Sequence, residues 1–241
     1  MSHLPIILFD FDGVIITQKS LEYTALLFLN KKFYKWKNTK NMRLIDFARI
    51  FEEADSENRI IAFKRIIKIY KKYIPSRWRR ILFFIKFRQT YPIFENYETF
   101  KPHLEEVLSK LKKNNIPLAI VSNTSRERLN HFIQKLNLEK YFSVFISRDE
   151  TPYRKPNAYP IYIALKKIKK NNKLSINKEL VYYVGDLPQD ILCAKNAKIN
   201  SIALLSGHGT KEGLEKVKPT YLLKNIKDII EIRKIKKFLI N

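Results

Sequence analysis

The sequence predicts an α/β protein: a doubly wound parallel sheet, interrupted near its start by an all-helical insertion. Three observations carry this. An apolar run, Leu4 to Phe9, stops abruptly at Asp10-Phe11-Asp12-Gly13. The stretch from Gln18 to about Thr90 reads as helix, with few breakers before Pro75. From Tyr91 onward, short apolar runs alternate with helical patterns of about ten to fifteen residues, which means right-handed crossovers and a parallel sheet. The expected domains are therefore a core of residues 1–17 and 91–241 and a helical insertion of residues 18–90.

Bulk properties narrow the possibilities. A chain of 241 residues holds one sizeable domain with an insertion, or two small ones. Hydrophobic content of 45% and aromatic content of 13% supply a packed core rather than a disordered chain. The single cysteine, Cys193, rules out a disulfide framework within the chain and suits a reducing cytoplasm. The start, Met1-Ser2-His3-Leu4-Pro5, has no basic region ahead of its short apolar run, so a signal peptide is not expected. No run of apolar residues is long enough to span a membrane. Net charge is +24, from 47 Lys and Arg against 23 Asp and Glu. Such a field attracts anions, but a chain rich in Lys, Ile and Asn also reaches that charge by composition alone.

Taken in order, the elements follow from periodicity. Leu4 to Phe9 is a strand buried on both faces, and Gly13 turns the chain off the sheet. In the insertion, Leu21, Thr24, Ala25, Phe28 and Leu29 share one helical face. A second amphipathic piece runs from Arg43 to Ala54. A third, Arg59 to Tyr73, puts Ile60, Phe63, Ile67 and Tyr70 on one side and leaves Lys64, Lys68, Lys71 and Lys72 mostly away from it. Ser76-Arg77-Trp78-Arg79-Arg80 opens a fourth, which carries the apolar Ile81-Leu82-Phe83-Phe84-Ile85, expected to pack inside the insertion. Residues 18–95 hold 19 Lys and Arg against 7 Asp and Glu, half of the net charge in about a third of the chain. Most of these are a solvated face, and a basic lid guiding an anionic substrate is the sharper reading.

In the core, helices are expected at Lys101–Asn114, Arg126–Asn137, Asn157–Lys170 and Pro188–Ala197. Strands are expected at Ile116–Val121, Val144–Ile146, Leu180–Val184, Ser201–Leu205 and Thr220–Leu223, with a last helix at the C-terminus. In a parallel sheet the carboxyl ends of all strands line one edge, where open α/β sheets bind ligands. Asp10 and Asp12, Ser122, Lys155, and Asp186 with Asp190 should meet there. Each alone has a plain structural reading: an N-cap for Ser122, a solvated lysine for Lys155, a turn former for Asp186. Strand alternation puts Asp12 on the same side as Asp10. The four histidines, His3, His103, His131 and His208, have no metal-ligand spacing.

Asp10-Phe11-Asp12-Gly13, Ser122-Asn123, Lys155-Pro156 and Gly185-Asp186-Leu187-Pro188-Gln189-Asp190 together resemble the four motifs of the haloacid dehalogenase superfamily. The spacing is similar to that of members with a helical cap between the first two motifs, the phosphoglycolate phosphatase-like and β-phosphoglucomutase-like enzymes. The likeness covers residues 4–17 and about 92–225. It implies a Rossmann-like core with an inserted helical cap. It also implies a phosphatase that hydrolyses a phosphate monoester through an aspartyl-phosphate, with Asp10 as nucleophile and Asp12 as general acid and base. Ser122, Asn123, Lys155 and the amides of Phe11 and Asp12 would hold the phosphoryl oxygens. Mg²⁺ would take the Asp10 carboxylate, the Asp12 backbone carbonyl and Asp186, with Asp190 nearby or reaching it through water.

Asp12 favours phosphate monoesters, because family members that displace halide or cleave phosphonates generally lack an aspartate there. Val14 and Thr17 depart from common family choices, Thr17 where many sugar-phosphate members have aspartate. Ser206-Gly207-His208-Gly209, where relatives often carry a glycine loop, is given no role. Three other readings stand beside the small-molecule phosphatase: a phosphomutase with the same two aspartates, a nucleic-acid-end phosphatase, and a basic binding protein using Trp36, Trp78 and the Ile81 to Ile85 run. The expected partner is a small phosphorylated substrate, with nucleic acid possible and not favoured.

Overall fold

The computed structural model describes residues 4–17, 19–29, 37, 59–172 and 175–239. The chain forms two compact units, one of Met1–Thr17 with Thr99–Asn241, the other of Gln18–Glu98. In chain order the elements are β1 (Ile6–Phe9), α1 (Lys19–Leu29), α2 (Arg59–Tyr70), α3 (Arg77–Thr90), α4 (Leu104–Lys113), β2 (Leu118–Val121) and α5 (Arg126–Lys135). They continue with β3 (Val144–Ile146), α6 (Tyr159–Asn172), β4 (Val181–Gly185), α7 (Pro188–Asn196), β5 (Asn200–Leu204), α8 (Lys211–Lys216), β6 (Tyr221–Leu223) and α9 (Arg233–Lys236). The helix expected from Arg43 to Ala54, and Trp36, lie outside the described residues, as do the side chains of Ile60 and Phe63. Among the described residues no helix is long and apolar enough to cross a membrane.

The first unit is built on a six-stranded sheet in the order β3-β2-β1-β4-β5-β6. Every pair is parallel, and Phe9 stands opposite Ile120 on one side and Val184 on the other. Strands β1, β2 and β4 are buried throughout, which is why each reads as an apolar run rather than an alternation. The pleat still sorts their side chains. Ile7 and Phe9 join Ile120, Tyr182 and Val184 on one face, beneath Leu108 and Leu111 of α4 and Leu129 and Phe132 of α5. Ile6 and Leu8 join Ala119, Val121 and Tyr183 on the other, beneath Ile161 and Ile168 of α6 and Cys193 and Ala194 of α7. The chain winds first toward β3 and then, from β4, the opposite way. The switch falls at β1, and a crevice opens at the carboxyl ends of strands beside such a point.

Most element ends fall within two residues of the sequence expectation, and three departures have a local reason. Helix α4 starts at Leu104 rather than Lys101, because Pro102 lies in a turn and His103 takes a left-handed φ of 63°. Helix α6 starts at Tyr159 rather than Asn157: the Asn157 side chain accepts a hydrogen bond from the Tyr159 amide at 2.8 Å and so ends the loop instead of opening the helix. The expected C-terminal helix is a 3₁₀ helix, Ile226–Glu231, followed by the short α9. Ile226, Ile229, Ile232 and Ile235 recur every third residue and are all buried against the first face of the sheet. That spacing matches three residues per turn better than 3.6.

In the second unit, α1 buries Ser20, Leu21, Thr24, Ala25 and Phe28 along one face, as its periodicity predicts. Phe83 sits edge-on to Phe28 at 5.2 Å and tilted on Tyr70 at 5.1 Å. Lys64, Lys68, Lys71 and Lys72 are exposed, as expected. The Ile81 to Ile85 run is not packed throughout: Phe83 is buried and Phe84 half-buried, while Leu82 and Ile85 are exposed. A helix cannot turn five consecutive residues to one side. A 3₁₀ helix, Tyr91–Tyr97, sets Tyr97 edge-on to Tyr23 of α1 at 5.2 Å, and this unit continues to Glu98, beyond the Tyr91 boundary drawn from the sequence. Buried Glu98 accepts hydrogen bonds from the amides of Lys19 (3.1 Å) and Ser20 (2.8 Å), a carboxylate capping the positive end of α1.

We predict that Phe83→Ala destabilises the protein by about 3–5 kcal/mol. Trp78 is 75% exposed, and Trp78→Ala should cost no more than about 0.5 kcal/mol. Urea titration of both variants checks this, and equal costs would contradict the packing described.

Candidate active site

Strand β1 ends at Phe9, and the Asp10 amide extends its ladder by donating to the Val184 carbonyl at 2.8 Å. The Asp10 carboxylate therefore emerges beside the end of β4, at the switch point. Gly13 takes a φ of +74°, and a Cβ there would stand 2.3 Å from Asp186 Oδ2. Both the backbone and the close approach require glycine.

The Lys155 ammonium joins the carboxylates. Its Nζ is 2.6 Å from Asp10 Oδ1 and 2.6 Å from Asp190 Oδ1. The contact to Asp190 is a hydrogen bond; the contact to Asp10 is an ion pair off the hydrogen-bonding direction. Asp190 lies in the first turn of α7, where its Oδ2 accepts from the amides of Asp186 (3.2 Å) and Leu187 (3.0 Å). Both Asp190 oxygens are thus in use. Ser122 follows β2, its amide donating to Ile146 O at 2.9 Å, and its hydroxyl accepts from the Thr124 amide at 3.1 Å. It does not cap α5; Ser125 does. The Asn123 side chain brackets the Lys155 backbone, accepting from its amide at 3.1 Å and donating to its carbonyl at 3.4 Å. That arrangement sets the lysine in place. Phe11 is buried, its ring 5.5 Å from that of Phe132.

Two parts of the site escape the sequence reading. Asp186 Oδ2 accepts from the His208 amide at 2.7 Å and lies 3.2 Å from His208 Nδ1. A Cβ on Gly207 would stand 2.1 Å from that of Asp186, and the Gly209 amide donates to Asp186 O at 3.0 Å. The Ser206-Gly207-His208-Gly209 loop, given no role from sequence, wraps Asp186. Its glycines were the available signal. The other is Arg128, in the first turn of α5, whose Nη1 is 2.7 Å from Asp12 Oδ1 and 3.1 Å from Thr124 Oγ1. Because β1 stops at Phe9, strand alternation does not place Asp12; the turn and this arginine do. One arginine among 47 basic residues carries no signal in sequence.

Burial, then the charge of Asp190, pushes Asp10 well above the usual carboxylate value, against the pull of Lys155. Burial also raises Asp190. Burial works against the Lys155 ammonium, but Asp10 and Asp190 outweigh it and hold its pKa well above the ordinary lysine value. Burial opposes ionisation of Asp186 as well, yet the hydrogen bonds and charge of His208 keep it below the usual value. Burial pushes the Cys193 thiol up to about 12, so it is no nucleophile.

Asp10, Asp186 and Asp190 each offer an oxygen within 4.8 Å of the others, and Asp186 Oδ1 is buried without a hydrogen-bond partner among the described residues. An all-oxygen, net-negative set of donors fits a hard divalent cation. Asp10 and Asp186 have oxygens to give it. Asp190, already spent on Lys155 and two amides, braces the set.

A doubly wound α/β chain with a buried carboxylate at its switch point, a lysine against it and further carboxylates beside it is an enzyme with an acidic site on its sheet edge. Comparison with known proteins supplies the family. Residues 7–204 match haloacid dehalogenase-like hydrolases, and the chain belongs to that family. It is 26% identical over 235 residues to a pyrophosphatase PpaX of Oceanobacillus iheyensis, covering 94% of this chain and 95% of that one. A structure from Haemophilus somnus described as a phosphoglycolate phosphatase by prediction superposes with a TM-score of 0.68 at 21% identity, covering 96% of this chain and 99% of its own. A β-phosphoglucomutase candidate from Thermotoga maritima gives a TM-score of 0.67 at 19% identity, covering 96% and 99%. At such identities these two structures speak to the fold.

The charge balance makes a pH-dependent prediction for the metal-free protein. With Asp10 and Asp190 raised, the folded chain holds more protons than the unfolded one. Their contribution to stability is complete below the unfolded aspartate value of about 3.9 and is lost as pH rises through the raised values. Lys155→Met removes the cation that opposes that rise. It should destabilise by about 3–5 kcal/mol near neutral pH, with the deficit shrinking as pH falls and the buried carboxylates take up protons. Urea titrations across pH check this, and a deficit independent of pH contradicts it.

Proposed function

We propose that this chain is a Mg²⁺-dependent phosphatase that hydrolyses a phosphate monoester through an aspartyl-phosphate on Asp10. The observation that carries the reading is the buried Asp10 carboxylate at the switch point, 2.6 Å from Lys155, with Asp186 and Asp190 gathered beside it. One carboxylate oxygen of Asp10 attacks phosphorus, and the ester oxygen leaves as Asp12 protonates it. Asp12 then takes a proton from the water that releases phosphate and restores Asp10. Ser122 and Lys155 hold the phosphoryl oxygens, and Lys155 offsets the charge that builds on them. Bound Mg²⁺, held by Asp10, Asp186 and the Asp12 carbonyl, would reduce the repulsion between the Asp10 carboxylate and an anionic substrate.

The helical unit inserted between the first and second motifs is read as the cap that selects the substrate. The substrate class is a small phosphorylated molecule. The full-length relative named a pyrophosphatase and the net charge of +24 set the breadth of the screen. A lone buried Cys193 suits the cytoplasm.

Phosphate release should require Mg²⁺ and stop on chelation. Asp10→Asn should lower turnover by at least about 10³-fold with the fold intact by circular dichroism. The assay is phosphate release from sugar phosphates, phosphoglycolate, inorganic pyrophosphate and end-phosphorylated oligonucleotides. Isomerisation of a sugar phosphate without release makes the chain a mutase, and full activity of Asp10→Asn removes the aspartyl-phosphate.

A further inference from the structure

We infer that Arg128 is a positioning residue for Asp12: it holds the carboxylate that protonates the leaving oxygen, and it does so from outside the four recognised motifs. The inference rests on the reading of Asp12 as general acid and base.

The geometry is specific. Arg128 is the third residue of α5, and its amide donates to Ser125 Oγ at 3.3 Å, which fixes the start of its side chain in the helix's capped first turn. From there the guanidinium reaches the β1 loop, donating to Asp12 Oδ1 at 2.7 Å. A second bond, to Thr124 Oγ1 at 3.1 Å, ties the same nitrogen to the loop after β2. The plane of the guanidinium is supported as well: its central carbon lies 5.8 Å from the Phe11 ring and 5.2 Å from the Phe132 ring. Both Arg128 and Asp12 are largely shielded, with side chains 15% and 24% exposed, so this is not a loose surface pair. Phe11, Asp12 and Thr124 belong to the loops that carry the first and second motifs. Arg128 therefore links the two loops through the one residue that must hand over a proton.

The pairing also separates two neighbouring carboxylates. Asp10 faces Lys155 and Asp12 faces Arg128, so each has its own cation although one residue lies between them. In the first step the bond from phosphorus to the ester oxygen breaks, its electron pair stays on that oxygen, and the oxygen takes the Asp12 proton. A new bond forms from Asp10 to phosphorus. Losing Arg128 leaves every atom in that balance present. It loosens the direction from which the proton arrives, so the effect depends on how much the leaving group needs protonation.

The experiment compares kcat/KM, which reports formation of the phosphoenzyme, for substituted phenyl phosphates ranging from 4-nitrophenyl to 4-methoxyphenyl phosphate. The proteins are wild type, Arg128→Gln, Arg128→Lys and Asp12→Asn. With Arg128→Gln, the 4-methoxyphenyl ester, whose leaving group needs a proton, should lose roughly 100-fold. The 4-nitrophenyl ester, whose leaving group does not, should lose less than about threefold. Arg128→Lys, which keeps a cation without the planar fork, should recover part of the loss. Equal losses on all esters with unchanged melting temperature, or no loss on any, overturn the inference. If Asp12→Asn itself shows no dependence on the leaving group, the role of Asp12 fails, and the inference fails with it for that separate reason.

Discussion

The site depends on one ammonium group placed among buried carboxylates. Lys155 is held between Asp10 and Asp190, and all three are almost fully removed from water. Burying any one of these charges alone would cost several kcal/mol, and the ion pairs offset that cost only while the geometry is kept. The geometry is kept by backbone: Asn123 grips the Lys155 peptide, the amides of Asp186 and Leu187 grip Asp190, and the β4 ladder fixes Asp10. One lysine does not neutralise three carboxylates. The residual negative charge suits a hard divalent cation.

The members of this cluster arrive on several segments, and only a parallel sheet with its switch at β1 delivers them to one edge. Asp10 follows β1, Ser122 follows β2 and Asp186 follows β4, the three strands adjacent in the sheet. Lys155 comes from the loop after β3, and His208 from the loop after β5. The glycines at 13 and 207 let two of these loops approach Asp186 more closely than any side chain would permit. Asp186 is fully enclosed, as Asp190 is, and of the three buried aspartates it is the one whose ionised form its surroundings favour.

Much of this was legible from residues alone, because the central strands β1, β2 and β4 are buried on both faces. Apolar runs of four or five residues separated by amphipathic helices have few other arrangements, and polar residues just past those runs had to share an edge. Legibility stopped where a side chain's partner comes from another segment. His208 looked like one of four scattered histidines, and Arg128 like one of many basic residues, because neither has a local pattern that points to Asp186 or Asp12. Nothing local to Asn123 shows that its side-chain amide holds the Lys155 peptide. The C-terminal stretch is expected as an ordinary helix, although the period of three in Ile226, Ile229, Ile232 and Ile235 favours the tighter winding seen.

What the sequence by itself determined is the order of the elements, the parallel sense of the sheet and the identity of the polar residues at its edge. Those follow from periodicity and from the direction in which each strand must run, which are local properties. The tertiary structure decided the pairing: Lys155 to Asp10 and Asp190, His208 to Asp186, Arg128 to Asp12. Ion pairs and hydrogen bonds between distant segments depend on distances that loops set in space, and linear spacing does not encode those distances. The two carboxylates of Asp10-Phe11-Asp12 could be found in the sequence, but which cation each one faces could be read only from the fold.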